Sequence, residues 1–461
     1  MPSNQRSNPH AVSDRRLYTQ LRNLRTVFDR SICAVLAENR ALDRFLSSYW
    51  RSNRCFGSRD RRLFSESIFA FFRFYGFLLP LLDEAERQMI ESGDSRALSG
   101  RSAALLLTGA WVLENLPPED AHKLLCREFD LPMIPDPVKS PACESNFRIK
   151  RFADYIAMAE PSRQIDCDFK QLQADWSHKY LQEMSDLSAY YAALAERPPL
   201  WLRVQNSDVD QVVKELAAAG LATVRHSRLR NALAVTSGNV NLYTLDAYKA
   251  GRVEVQDLAS QVIAAACAPN SGERWWDCCA GAGGKTLALA EIMQRTGKVI
   301  AGDIREYKLE DLKRRARRSG FPNIETRPWD GKKVPPRKGA SFDGILIDAP
   351  CSCSGVWRRN PDGRWNCTAG EVDSITQIQR NVLENVLPAL RPGGVLVYAT
   401  CSVFEPENSA MVKDFLARHP EFELENFANP LTGDMTDGML KITGAAENCD
   451  SMFVARLRHR T

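Results

Sequence analysis

No Cys-X-X-Cys pair occurs in the 461 residues, and the six histidines are scattered away from the cysteine-rich segments, which argues against a zinc site built from paired ligands along the chain. No run of about 18 uninterrupted apolar residues is present either, so no membrane span is expected. The longest candidate, Ile68 to Leu82, is broken by Arg73 and Pro80 and reads as a core helix. The first residues, Met1-Pro2-Ser3-Asn4-Gln5-Arg6, carry no apolar leader core. Repeats of solenoid period and low-complexity tracts are also missing. Charge of one sign is nearly absent, since 61 Lys and Arg against 57 Asp and Glu leave only +4, so any polyanion must be met by local patches. Thirteen cysteines without a leader predict reduced thiols and a cytoplasmic chain.

What is present is organised around two strand-like runs that end in cysteine. Phe342 to Asp348 leads into Ala349-Pro350-Cys351-Ser352-Cys353-Ser354-Gly355, and Gly393 to Ala399 leads into Thr400-Cys401-Ser402. Short β-rich apolar runs bounded by Gly, Pro and Ser predict buried parallel strands. Open α/β sheets place their sites beyond the carboxyl ends of such strands, so both thiols are expected in one crevice.

The chain before them changes character three times. Residues 1–13 are polar and expected to fray, and Arg15 to about Asn115 has helical periodicity, with a basic turn at Gly57-Ser58-Arg59-Asp60-Arg61-Arg62. That turn suits either a phosphate contact or a solvated helix start with an acid near its dipole. Pro117-Pro118 and Pro132–Pro141 mark a domain edge, and helical patterning returns over 150–195. Arg197-Pro198-Pro199 opens a small α/β unit, with strands expected at Leu200–Val204 and Ala232–Val235 and a helix at Val209–Ala219. An apolar helix, Leu258–Cys267, follows it. From Gly272 strands and helices alternate as in a doubly wound sheet, with Phe422–Glu425 and Met452–Leu457 as a closing edge pair. The expected domains are 1–145 (helical), 146–196 (helical linker), 197–260 (small α/β) and 261–461 (α/β catalytic).

Three ligands compete for the turn Cys279-Ala280-Gly281-Ala282-Gly283-Gly284-Lys285-Thr286. A P-loop needs glycine where this chain has Cys279, and a dinucleotide fingerprint needs glycine where it has Thr286. What remains is a turn that admits a ligand close to the backbone, followed about twenty residues later by Asp303, placed to hold a ribose diol. A nucleoside without a pyrophosphate fits S-adenosylmethionine better than NAD or ATP.

That turn, Asp348-Ala349-Pro350-Cys351-Ser352, Arg359-Asn360-Pro361-Asp362 with Trp365, and Thr400-Cys401-Ser402-Val403 with Glu407-Asn408 together closely resemble the RNA cytosine-C5 methyltransferases of the Sun/RsmB type. The resemblance covers 197–458, and extends more loosely over the first 145 residues to the NusB-like RNA-binding domain of bacterial members. It implies a Rossmann-like S-adenosylmethionine-dependent methyltransferase domain, preceded by a small α/β domain and an all-helical NusB-like domain. Cytosine C5 is a weak nucleophile, so such an enzyme adds a thiolate to C6 first and must later expel it. Pattern alone leaves open which cysteine attacks. The resemblance assigns attack to Cys401, release or proton transfer to Cys351, the base edge to Asp348 and a place near the target pocket to Lys285. It also implies that Cys279, Ala280, Gly281, Ala282, Gly283, Gly284 and Lys285 hold the methionine end of the cofactor, with Asp303 on the ribose, Asp330 by the adenine and Asp348 bordering the site. Ala282 stands where relatives usually carry proline, and Cys353 lies outside the motif and is expected to be structural. No metal is implied.

For RNA, the candidate grips are Lys313-Arg314-Arg315 with Arg317-Arg318, Lys332-Lys333 with Arg337-Lys338, and above all Arg358-Arg359, with Trp329, Trp357 and Trp365 as stacking faces. The expected partner is ribosomal RNA, acted on by a monomer, with transfer RNA the nearest alternative. A catalytically inactive assembly factor and an amino-group methyltransferase are the other readings; the latter suits Ala349-Pro350-Cys351 poorly, because it would normally carry an aromatic at the cysteine position.

Overall fold

The computed structural model describes residues 9–96, 98–138, 145–163, 165–238, 240–334 and 342–461. The chain divides into two compact units, one of residues 1–178, 186–197 and 357–367, the other of 179–185, 198–356 and 368–461. The helical unit thus includes the stretch expected as a linker except 179–185, and it takes in 357–367, which follows the first cysteine loop in sequence.

In the helical unit the first helix, Pro9–Ile32, reaches into the segment expected to fray. Leu42–Ser52, Ser58–Arg73, Gly100–Glu114, Asp120–Glu128 and Ser145–Ala159 are its other long helices. The apolar run Ile68–Leu82 is broken after Arg73 and continues as Tyr75–Leu78. Its aromatics are core: Phe71 meets Phe28 edge-on at 4.8 Å. Among the described residues no single helix is long and apolar enough to cross a membrane.

The second unit carries both sheets. The small one contains β1 (Leu200–Val204), β2 (Ala222–Arg225), β3 (Ala232–Ser237) and β4 (Val253–Val255) in the order β2-β3-β1-β4, all antiparallel. Sequence periodicity finds β1, β3 and the helix Val209–Ala218 but misses β2 and β4, which are short and flanked by charge.

The large sheet is built from β5 (Arg274–Asp277), β6 (Lys298–Ala301), β7 (Ile324–Thr326), β8 (Phe342–Asp348), β9 (Leu390–Thr400), β10 (Phe422–Leu424), β11 (Met439–Ile442) and β12 (Met452–His459). Its order is β10-β12-β9-β8-β5-β6-β7, with β11 also on β12. The strands β5 to β9 are parallel, and β12 runs antiparallel to β9, β10 and β11. The expected closing pair of 422–425 and 452–457 is present as β10 and β12, which end the sheet on one side; β11, only four residues long, had no periodicity to announce it. Alternate side chains feed two cores. Trp275, Val299 and Leu346 pack under the helices Leu258–Cys267 and Gly284–Ile292, whereas Trp276, Ile300 and Ile345 pack under Ala369–Val386 and Ser409–Arg418. Helices on both faces explain why these strands are apolar throughout.

The order reverses between β5 and β8, since the chain goes outward through β6 and β7 and returns to the other side of β5. A crevice opens beyond the strand ends at such a switch point. Asp277 and Asp348 end the two strands bordering it, β5 and β8, Cys351 follows β8, and Asp303 and Cys401 follow the next strands out, β6 and β9.

Candidate active site

The glycine turn is held by its neighbours. Gly283 has φ +87°, and a Cβ there would stand 2.4 Å from Leu312, so the approach of the helix Glu306–Arg318 requires glycine. Ala280 N donates to Gly302 O at 2.8 Å, and Gly281 N donates to Asp303 Oδ2 at 2.8 Å. Arg315 donates to the Ala282 carbonyl at 2.6 Å and is itself fixed by buried Glu254, which it meets at 2.9 Å. Arg318 joins the same carboxylate. Within the basic run 313–318, two arginines are thus structural, while Lys313 and Arg314 pair with Glu310 and Asp311 on their own helix.

Asp303 is 4% exposed, and its Oδ1 accepts from Arg305 N at 2.8 Å and Arg305 Nε at 3.0 Å. Burial would raise this carboxyl, but the Arg305 hydrogen bonds outweigh it and hold the group below its ordinary range. Beside Asp303, Ile304 and Tyr307 expose 71% and 58% of their surface, a pair of apolar side chains that motif reading missed. Asp330 is exposed and closes its own turn, accepting from Lys332 N at 3.0 Å and pairing with Lys332 Nζ at 3.0 Å. The preceding Trp329 N lies 3.4 Å from Asp303 O, which brings that turn alongside the acid.

Asp277 was also missed, because it reads as the last residue of a strand. It is fully buried and accepts from Thr286 Oγ1 at 2.6 Å, while its Oδ1 has no partner among the described residues. Burial pushes its carboxyl up to about 7. An acid at a strand end directly before a glycine turn was the available signal.

At the other end of the crevice the two cysteine loops meet. Asp348 and Ala399 are register partners on β8 and β9, and Cys351 Sγ lies 3.3 Å from Cys401 Sγ. Lys285, 7% exposed, reaches from the glycine turn to Asp348 Oδ2 at 2.8 Å. Burial opposes the ammonium charge, but Asp348 outweighs it and keeps Lys285 protonated; burial raises the Asp348 carboxyl. The Cys401 thiol also stands above its ordinary value: a hydrogen bond from Cys351 favours the thiolate, but contact with Cys353 and burial prevail over it and over the pull of Lys285. Cys353 is exposed and Cys278 is buried.

Glu407 and Asn408 lace the loops together, a role the motif did not disclose. Fully buried Glu407 accepts from Ser352 N at 2.7 Å, Ser352 Oγ at 2.6 Å and Ser402 Oγ, and Asn408 Nδ2 donates to Ser402 O at 2.9 Å. Gly355 N donates to Cys401 O at 2.9 Å, and a Cβ on Gly355 would fall 1.9 Å from Ser451 O, so only glycine fits.

The arginine pair after the first loop is corrected in part. In the helical unit Arg358 is 5% exposed with Nε on Ala193 O at 3.1 Å, so it is no phosphate contact, whereas Arg359 is exposed. Trp357 is buried, and Trp365 donates to Phe72 O at 2.7 Å and packs on Tyr75. Trp357 therefore offers no stacking face. Arg364, completely buried, holds four carbonyls, those of Arg73, Leu172, Leu194 and Trp357. Arg337 and Lys338 lie outside the described residues.

The doubly wound sheet, the glycine turn and the acids at its switch point define a Rossmann-like methyltransferase domain. The family described as 16S rRNA methyltransferase RsmB/F matches residues 264–458. Among curated relatives, ribosomal RNA small subunit methyltransferase B of Sodalis glossinidius (strain morsitans) is 30% identical over 455 residues, 95% of this chain and 98% of its own. The protein of the same name from Klebsiella pneumoniae (strain 342) is 35% identical over 294 residues, 63% of this chain and 65% of its own. Among solved structures, that of PH0851 superposes with a TM-score of 0.71 at 23% identity, over 94% of this chain and 98% of its own. NSun6 from Pyrococcus horikoshii, solved with SFG, an S-adenosylmethionine analogue, gives 0.55 at 20% identity, over 62% of this chain and 98% of its own. The chain belongs to the 16S rRNA methyltransferase RsmB/F family.

Proposed function

We propose that this protein methylates C5 of a cytosine in RNA, 16S ribosomal RNA being the favoured substrate, through a covalent adduct between Cys401 and C6. The observation that carries the reading is the 3.3 Å approach of Cys351 and Cys401, with the Lys285–Asp348 ion pair close by.

S-adenosylmethionine is the cofactor and supplies the methyl group as an electrophile. The residues fit it. The orphaned Asp277 Oδ1 suits the cationic amino group, the backbone N–H groups opening the helix Gly284–Ile292 suit the carboxylate, and Asp303 suits a diol that takes the place of the Arg305 guanidinium. Ile304 and Tyr307 offer the apolar surface an adenine needs, with Asp330 at its margin. The segment Cys279–Lys285 wraps the methionine end.

On the RNA side, Cys401 loses its proton to solvent, and its thiolate, which accepts a hydrogen bond from the Cys351 S–H 3.3 Å away, bonds to C6 and drives the C5=C6 electron pair onto C5. Asp348, raised by burial, hydrogen-bonds N3 and the exocyclic amino group, and Lys285 holds its second oxygen in place. Once C5 carries the methyl group a water takes the C5 proton, the freed electron pair re-forms C5=C6, the S–C6 bond breaks with its pair on sulfur, and the Cys351 S–H hydrogen-bonds to the departing Cys401 thiolate. The target must leave its stack for a thiol to reach C6, so a single-stranded loop or junction is expected. The helical region, residues 1–145 with 146–196, is assigned to RNA binding. Its groove of Trp50, Arg51, Arg54 and Arg61 suits phosphate and base stacking. The subdomain 197–260 assists it, 261–461 catalyses, and the protein works as a monomer in the bacterial cytoplasm.

The test is a covalent trap: protein, S-adenosylmethionine and ribosomal RNA transcribed with 5-fluorocytidine, run on a denaturing gel beside Cys401→Ala and Cys351→Ala. Fluorine at C5 blocks the final elimination. An adduct with the parent and Cys351→Ala but none with Cys401→Ala is expected. Loss only with Cys351→Ala reverses the roles; an adduct with transfer RNA alone changes the substrate; silence with both favours an assembly factor.

A further inference from the structure

The thiol pair has a third member that the proposed reaction does not use. Cys353 follows Cys351 by two residues, and its sulfur lies 3.5 Å from Cys351 O. Its backbone takes φ +57°, a left-handed conformation that costs an ordinary residue about 1 kcal/mol and turns the side chain back over its own loop. The Sγ atoms of Cys351, Cys353 and Cys401 consequently all lie within 4.8 Å of one another. The absence of Cys-X-X-Cys spacing argued against a metal, but here the fold gathers ligands from two loops.

We propose that Cys351, Cys353 and Cys401 form a three-thiolate site for one thiophilic d10 cation of the zinc class, entered from solvent at Cys353. Zinc–sulfur bonds of about 2.3 Å set three sulfurs roughly 4 Å apart. The present separations, 3.3 Å for Cys351–Cys401 and up to 4.8 Å within the trio, bracket that distance, so the loops need only open slightly on one side. The donor set contains sulfur alone, which selects soft cations over magnesium or calcium. Three thiolates around a divalent ion leave one negative charge, and the buried Lys285 ammonium, electrostatically coupled to Cys401, offsets it. A fourth position stays open to water. Binding releases the thiol protons and consumes no oxidant or reductant. Its consequence rests on the function proposed above: an ion that occupies the Cys401 lone pair blocks attack on C6, so the metal inhibits reversibly and a chelator restores activity.

The full chain, reduced and metal-free, is titrated with Zn²⁺ against a chromophoric chelator, and separately with Cd²⁺ followed by thiolate-to-metal absorption in the ultraviolet. One tight equivalent is expected in the parent. Cys353→Ser should weaken it on the order of a hundredfold through loss of one ligand, while its unfolding temperature stays at the parental level and it still forms the 5-fluorocytidine adduct. No stoichiometric binding, or binding that Cys353→Ser leaves unchanged, overturns the site. Because binding is read without methyl transfer, an adduct-forming protein that ignores Cd²⁺ sinks this inference alone. A protein that binds Cd²⁺ through Cys353 but never forms the adduct sustains the site and sinks the proposed reaction.

Discussion

Replacing Glu407 by alanine should damage both stability and chemistry, in amounts the hydrogen bonds allow to be separated. The carboxylate accepts from Ser352 N at 2.7 Å, Ser352 Oγ at 2.6 Å, Gln379 Nε2 at 3.3 Å and Ser402 Oγ. Without it, the two hydroxyls still have Ser354 Oγ at 3.1 and 2.9 Å, and Gln379 still has Pro350 O at 2.8 Å. Only the Ser352 N–H is then orphaned, at about 1–3 kcal/mol, and the vacated space adds about 1 kcal/mol. Against this, burial already disfavours the charged carboxylate, so removing it returns part of the cost. A net loss of about 2–3 kcal/mol follows, and Glu407→Gln, which keeps the volume and one acceptor, should lose about 1 kcal/mol. The chemical effect should be larger. The 3.3 Å thiol separation depends on the laced loops, and a displacement of about 1 Å at a reacting group costs on the order of a hundredfold in rate. Urea unfolding gives the first quantity and the rate of 5-fluorocytidine adduct formation gives the second. A Glu407→Ala protein with parental stability and parental trapping rate would refute the idea that this carboxylate holds the thiols in place.

Three further outcomes are expected. Arg315→Met, which removes the 2.6 Å bond to the Ala282 carbonyl, should weaken S-adenosylmethionine about tenfold by calorimetry, and combining it with Glu254→Gln should add less than the sum, since both act through one clamp. Asp277, whose carboxyl is pushed from 3.8 up to about 7 by burial, favours the folded state below its unfolded pKa and loses that contribution as pH rises through 7; at about 1.4 kcal/mol per unit the loss is of order 4 kcal/mol, and Asp277→Asn should flatten the decline when unfolding is followed from about pH 4 to pH 8 without cofactor. Arg358→Ala should cost about 2–4 kcal/mol of stability, because the side chain is buried and bonded through Nε to Ala193 O, whereas exposed Arg359→Ala should cost less stability and lower the salt dependence of RNA binding by about one phosphate contact; the reverse pattern would contradict the assignment.

What could be read from sequence was whatever repeats along the chain or depends on local geometry. The two cysteine strands, the glycine turn and the apolar helix Leu258–Cys267 were legible because burial on both faces leaves uninterrupted apolar runs and a tight turn demands glycine. The strands β2, β4 and β11 were not, since each has four residues or fewer and takes its stability from the neighbours it pairs with. The same limit applies to side chains. Sequence placed Arg358 and Trp357 next to the catalytic loop, and proximity along the chain suggested RNA contact, yet 357–367 packs within the helical unit and spends Arg358 and Arg364 on backbone carbonyls. Asp277 and Glu407 have the opposite history. Their residue types are informative only once the fold shows one with an orphaned oxygen beside the glycine turn and the other joining two loops.

Ala282 is where sequence and structure bear most directly on whether the domain works. The family resemblance implies proline there, and that departure was the only sequence feature favouring an inactive protein. A proline would fix φ and remove an N–H, but it would keep the carbonyl, and the carbonyl is the atom Arg315 holds at 2.6 Å. The turn is pinned as well by Ala280 N on Gly302 O and by Gly281 N on Asp303, each at 2.8 Å, and neither bond involves the substituted side chain. Alanine therefore gives up only the conformational restriction of the free loop, about 0.4–1 kcal/mol, which is a few-fold in affinity. With the ion pair and both thiols in register, a deficit of that size leaves the site competent to bind its cofactor, and it withdraws the one argument for inactivity.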